Sequence, residues 1–145
     1  MEPVIPCVPC PVTCYPLRLH PGQEIKESLI SFVNKNKLNA AFIMTCVGSV
    51  THASLRMSDS KTVKEYEGSF EIVSFVGTLS AGGHLHASLS DKDGNVFGGH
   101  VMGNMIVYTT AEIMVGECSG ALFSREHDTT TGFKELLIEK PAQEG

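Results

Sequence analysis

His84-Leu85-His86 and, further on, Gly98-Gly99-His100 gather three of the chain's six histidines into one short stretch. Imidazole is the commonest metal ligand in proteins. Two histidines at i and i+2 of a strand face the same side, and a third from a paired strand supplies another corner of a tetrahedron. The spacing therefore predicts a metal centre built from His84, His86 and His100. Zn²⁺ is the first expectation, and nickel, iron or copper would also accept three nitrogens. With no fourth protein ligand, the ion would keep a position open to water or a substrate atom, which is the arrangement of a catalytic rather than a closed structural zinc site.

Whether the three imidazoles meet depends on strand register. His84–Ser90 alternates large and small side chains, residues 91–95 (Asp-Lys-Asp-Gly-Asn) supply turn chemistry, and residues 96–100 read as the return strand of a β-hairpin. A two-residue type I′ turn at Asp93-Gly94 would set His86 opposite Val101 and point His100 to the other face. A three-residue loop, Lys92-Asp93-Gly94 with Gly94 left-handed and a G1 bulge, would set Asp91 opposite Asn95 and His86 opposite His100. The pattern admits both, and the glycine at the last loop position favours the second.

Other reactive side chains read more plainly. Cys7, Cys10 and Cys14 cluster in a proline-rich segment with no second cysteine pair to complete a zinc knuckle, so they are read as thiols of a flexible tail. Cys46 and Cys118 lie in apolar surroundings and read as small core residues. His20, His52 and His127 are read as surface or satisfied core residues. The pairs Gly82-Gly83 and Gly98-Gly99 lack the phosphate-loop pattern and read as places where another backbone approaches closely.

The chain that must position these groups has 145 residues, 42% of them hydrophobic and 19% charged, which suits one globular domain. We expect that domain over residues 15–140, between a Pro/Cys-rich tail (1–14) and a short C-terminal tail (141–145). No apolar run has the length of a membrane span, and the first residues lack a signal-peptide pattern, so a cytoplasmic or nuclear location with no membrane partner is expected. An odd five cysteines argues against a disulfide framework. With 11 basic against 16 acidic residues, net charge −5, and only Arg18, Arg56 and Arg125 as arginines, direct binding to duplex DNA is disfavoured.

Residues 15–20 read as a first strand. Ile25, Leu29, Phe32 and Val33 recur at helical spacing within residues 23–36, with Glu24, Lys26, Glu27 and Lys35 mostly on the other face. Residues 38–47 form a nearly continuous apolar run, the pattern of a strand buried on both faces. Separate strands are then expected at 50–57, 62–66, 69–76, 84–90, 96–101 and 106–115, with one or two more within 121–139. Connections this short favour antiparallel neighbours. The expected class is α+β, a mainly antiparallel sheet with one main helix packed on it, and a single helix would leave part of the sheet uncovered for subunit association.

The ordered series Gly68-Ser-Phe-Glu-Ile-Val-Ser-Phe-Val-Gly-Thr-Leu79, Gly83-His-Leu-His-Ala-Ser-Leu89, Asp93-Gly-Asn-Val-Phe-Gly-Gly-His100 and Val107-Tyr-Thr-Thr-Ala-Glu112 resembles the plants-and-prokaryotes-conserved (PPC) domain, over about residues 15–138. Leu17-Arg-Leu19, Pro21-Gly-Gln-Glu24 and Gly48-Ser49 fit its early half. The resemblance implies an antiparallel sheet flanked by helices, a homotrimer, and a metal site at His84, His86 and His100. By position in the matched Thr-Thr-Ala-Glu stretch, it also nominates Glu112 as a catalytic general base. Plant members join the domain to AT-hooks in nuclear DNA-binding proteins. This chain keeps the histidines and has no Arg-Gly-Arg-Pro hook, which shifts the expectation toward metal binding with a small anionic ligand, ahead of a DNA-regulatory module or a scaffold with a structural metal.

Overall fold

Period-two burial in the middle of the chain and one period-3.6 stripe near its start generate the whole architecture. The computed structural model describes residue 5 and residues 7–141. Its elements are β1 (Val12–Leu19), α1 (Ile25–Lys35), β2 (Ala41–Arg56), β3 (Val63–Thr78), β4 (His84–Ser90), β5 (Val96–Cys118), β6 (Leu122–His127) and β7 (Lys134–Glu139). A five-stranded sheet runs β1-β5-β2-β3-β4, and an additional β4–β5 pairing closes it back on itself. Every pairing is antiparallel, and β6 and β7 form a separate two-stranded hairpin. The α+β class with one main helix is the one the sequence predicts.

β5 holds this arrangement together. It is 23 residues long. Its first residues pair with β4, its middle with β2, and its last stretch with β2 on one side and β1 on the other. Leu55, Val101, Met105, Val107 and Ile113 form the fully buried centre of the sheet's inner face. α1 covers that face through Ile25, Leu29 and Val33, all buried. Burying each such side chain contributes about 1.5–3 kcal/mol, an upper estimate given that unfolded chains are partly compact.

Glu24 departs from its expected place on the solvent side of the helix. It is the N-cap, and its carboxylate accepts from the backbone N–H groups of Lys26 and Glu27 at 3.1 and 2.8 Å. The same carboxylate accepts from the Met105 N–H at 3.0 Å, tying the helix start to β5. One side chain thus satisfies orphan helix donors and fixes the helix on the sheet.

Strand boundaries differ from expectation in a consistent way. Residues 38–47 and 50–57 merge into β2, residues 62–66 and 69–76 into β3, and residues 96–101 and 106–115 into β5. Gly48-Ser49 and Glu67-Gly68, expected as breaks between strands, lie inside β2 and β3, with register shifts along β2 and β5. At Gly48, a Cβ would lie 2.2 Å from the Thr110 carbonyl oxygen, so the glycine marks the crossing of two backbones and not the end of a strand. Nor is the apolar run buried on both faces: Met44 and Val47 are exposed. β1 also begins earlier than expected, so Thr13 and Cys14 belong to a strand and not to the tail. The expected tails lie partly outside the described residues.

Among the described residues, no helix is long and apolar enough to cross a membrane. On β4, Leu85, Ala87 and Leu89 are buried while His84 and His86 face outward. Replacing Leu89, which is fully buried, with Ala removes one anchor of that face. Leu89→Ala is expected to lower unfolding free energy by about 2–5 kcal/mol in urea denaturation, against less than about 0.5 kcal/mol for substitution of the exposed Lys92.

Candidate metal centre

Register decides the site, and the register is that of the three-residue loop. Asp91 pairs with Asn95 through a backbone bond of 3.0 Å, and Gly94, at φ +81°, donates to the Asp91 carbonyl at 3.1 Å. The Asp91 carboxylate accepts from the N–H groups of Asp93 and Asn95, both at 2.9 Å, which holds the loop from inside. These hydrogen bonds also hold the Asp91 carboxyl below its ordinary pKa. His86 accordingly lies opposite His100.

The three ring centroids are 5.1, 5.2 and 5.4 Å apart. One nitrogen from each ring lies within 4.8 Å of the other two. The Nε2 atoms of His84 and His86 are 3.3 Å apart. Two Zn–N bonds of about 2.0–2.1 Å at a tetrahedral angle require roughly that N–N separation, so the donor set fits a zinc-sized ion.

Close backbone packing brings the rings together. A Cβ at Gly98 would lie 2.5 Å from the Ala87 carbonyl oxygen, and one at Gly99 would lie 2.7 Å from that of Arg56. The glycine pair therefore lets the start of β5 fit between β4 and β2, as the sequence suggested. Gly77 does the same on the other edge of β4, where a Cβ would meet the His84 carbonyl oxygen at 1.9 Å.

Beside the triad opens a cavity of about 860 Å³, and the charged residues that complete its wall were not visible in the sequence as site residues. Two of the three arginines are there. Arg56 pairs across the sheet with His100, and its guanidinium lies 5.9 Å from the Phe133 ring centroid. Arg125, on β6, donates from Nη2 to Thr78 Oγ1 at 3.0 Å. The β6–β7 hairpin also supplies Phe133, Lys134 and Glu135 to the wall. The only available signal was the scarcity of arginine. The Arg56–His100 pairing follows from a β2–β5 register with several shifts, which pattern reading does not reach.

Glu112 is not brought to the triad. It sits exposed on β5 between Arg18 of β1 and Val47 of β2, twelve residues along the strand from His100, a path of about 40 Å at ordinary strand rise. Glu135 is the carboxylate in the cavity wall among the described residues. His52 is engaged elsewhere, with Thr51 at 2.8 Å and Glu67 at 3.7 Å. Cys46 is buried as expected, and burial pushes its thiol pKa up to about 12. Cys118 is only partly buried, while Cys7 and Cys14 are exposed free thiols.

Comparison with known proteins adds a family. Residues 11–119 match the family model of the Plants and Prokaryotes Conserved (PCC) domain. The chain is similar to the bifunctional protein GlmU of a Synechococcus strain, 40% identical over 89% of this chain and 21% of that protein. It is also similar to AT-hook motif nuclear-localized protein 2 of Arabidopsis thaliana, 31% identical over 76% of this chain and 36% of that protein. It thus spans about a fifth to a third of the length of these relatives. Among solved structures, a hypothetical protein from Salmonella enterica superposes with a TM-score of 0.90 at 39% identity, covering 93% of this chain and 99% of that one. A metal-containing protein from Archaeoglobus fulgidus does so with a TM-score of 0.80 at 27% identity, covering 92% and 99%.

Electrostatics favour the ligand form of two of the imidazoles, His84 and His100. Partial burial, then the neighbouring His86 and Arg125, lower the His84 pKa. Burial and then Arg56 lower that of His100 from 6.5 to about 4. Neutral imidazole is the state that binds a metal. A lowered pKa also means that the unfolded chain binds more protons than the folded one between the two values, so stability is lost as pH falls from 6.5 toward 4. In chelator-treated protein the urea midpoint is expected to drop between pH 7.5 and pH 5, and His100→Asn should shrink that drop; an equal drop in the variant would assign it to other groups.

Proposed function

We propose, from the premise that this chain belongs to the Plants and Prokaryotes Conserved (PCC) domain family, that it is a metal-binding domain in which His84, His86 and His100 hold one divalent transition ion, zinc first. The position left open on the ion faces a small anionic ligand in the adjoining cavity. The observation that carries this reading is the convergence of three imidazoles, two of them held neutral by their surroundings and one nitrogen pair already 3.3 Å apart. Similarity to a metal-containing protein supports it. When bound, such an ion polarises a carbonyl or phosphoryl oxygen. Glu135 is the wall carboxylate positioned to take a proton there, and Glu112 serves that role only if a second copy of the chain delivers it. Met44, Val47, Val73, Val76, Met102 and Tyr108 leave apolar surface exposed on β2, β3 and β5, which supports self-association, and the family resemblance makes a homotrimer the assembly we favour.

Metal analysis of protein purified without a histidine tag is expected to give about one ion per chain, falling to background in His86→Ala with its circular dichroism retained. Near-zero metal in both proteins would sink the reading. Loss of the fold together with the metal would make the ion structural, since a structural zinc contributes directly to folding free energy.

A second reading, a DNA-binding regulatory module, is favoured by the AT-hook relatives in Arabidopsis thaliana. The net charge of −5 opposes it. We expect no retention on duplex DNA at about 150 mM salt, where phosphate contacts dominate affinity; retention that declines steeply with added salt would replace the metal reading with the regulatory one.

A further inference from the structure

The cavity beside the histidines has a charge the rest of the molecule lacks. The chain carries net charge −5, yet Arg56, Arg125 and Lys134 line this one space against a single carboxylate, Glu135, among the described residues. Neither guanidinium forms a salt bridge among the described residues. The Nε atoms of both are shielded from solvent and have no hydrogen-bond partner among the described residues. Buried donors left without acceptors are rare and costly in native proteins, and a guanidinium fork matches an oxyanion. Both arginines line the same cavity as the triad, Arg56 pairing across the sheet with His100 and Arg125 bonding Thr78, the strand partner of His84. They therefore face the same space as the open corner of the metal site.

We propose that this cavity binds the phosphoryl group of a small organic phosphate, held between the guanidinia of Arg56 and Arg125 and the ion on the histidines, with the organic part against Phe133 and Met57. The third of these contacts rests on the reading of the triad as a metal centre. Three points of attachment suit an anion with three equivalent oxygens, whereas a carboxylate has two. Two guanidinia and a divalent ion opposed by one carboxylate also leave a charge better matched by a dianion than by a monoanion. A volume of about 860 Å³ admits a molecule well beyond the size of the bare ion. The β6–β7 hairpin that brings Arg125, Phe133 and Lys134 lies beyond residues 11–119, which match the family model.

Inorganic phosphate is the probe, titrated calorimetrically into zinc-loaded and chelator-treated protein, with acetate as the comparison. The proposal expects saturable phosphate binding at least about tenfold tighter than acetate, and weakening of at least about tenfold in Arg56→Gln. Arg125 also holds Thr78, so Arg125→Lys is the variant there; it keeps the charge, loses the fork, and should weaken phosphate with metal content and melting temperature unchanged. Phosphate binding that is absent in both forms of the protein, matched by acetate, or indifferent to both substitutions overturns the proposal, even where zinc loads normally. Arginine-dependent phosphate binding in a protein that takes up no metal would support the anion site while the metal reading fails.

Discussion

The constraint on which everything else depends is the two-residue period of a β-strand. On β4 it sends Leu85, Ala87 and Leu89 into the core and His84 and His86 outward, so core packing and site assembly are set by the same alternation. A one-residue slip between β4 and β5 would carry His100 to the opposite face and at the same time expose the hydrophobic set. Burial of that set therefore stabilises the metal-compatible register, and the Asp91 carboxylate, bonded to two backbone N–H groups of its own loop, closes the hairpin at the length the register requires. The site needs no separate scaffold, because it is the outer face of the surface whose inner face is the core.

That coupling explains what could be read in the sequence. The helix, the β4–β5 hairpin and the convergence of His84, His86 and His100 follow from local periodicity and from the chemistry of one loop, and the register then supports the triad. The family was legible from an ordered series of short segments. Strand lengths were not: Gly48 reads as a stop by local rules, yet it sits where two backbones cross, and that crossing partner is some sixty residues away in the chain. The role of Glu24 was hidden for a similar reason, since helical periodicity assigns it to solvent while the Met105 N–H that it accepts from belongs to a distant strand. Arg125 and Glu135 escaped notice because they reach the cavity through packing of the separate hairpin, and Arg56 because its pairing with His100 follows a β2–β5 register with several shifts.

The two faces of the site are electrically distinct. On the histidine side, partial burial and neighbouring cationic groups lower the pKa values of His84 and His100, which favours them as donors of lone pairs. On the arginine side, the charge is permanent and the donors are hydrogens. Under the proposed reading, each guanidinium that lowers an imidazole pKa also leaves that nitrogen free for a metal. The cost is repulsion between the ion and the arginines, which an anionic ligand between them would relieve.

The separateness of the β6–β7 hairpin has a consequence for how such a site can diversify. β4 and β5 are locked into the main sheet by pairing on both sides, so the floor that carries the imidazoles tolerates little change. The hairpin is paired only with itself within the sheets and touches the body through contacts such as Arg125 to Thr78 and the Phe123 N–H to the Asn39 carbonyl. It behaves as an interchangeable part: altering its tip and inner residues would change what the cavity admits while the floor keeps its geometry. If the cavity binds a ligand as proposed, its selectivity and the folding of the sheet fall to different stretches of one short chain, and ligand preference can drift without endangering the core.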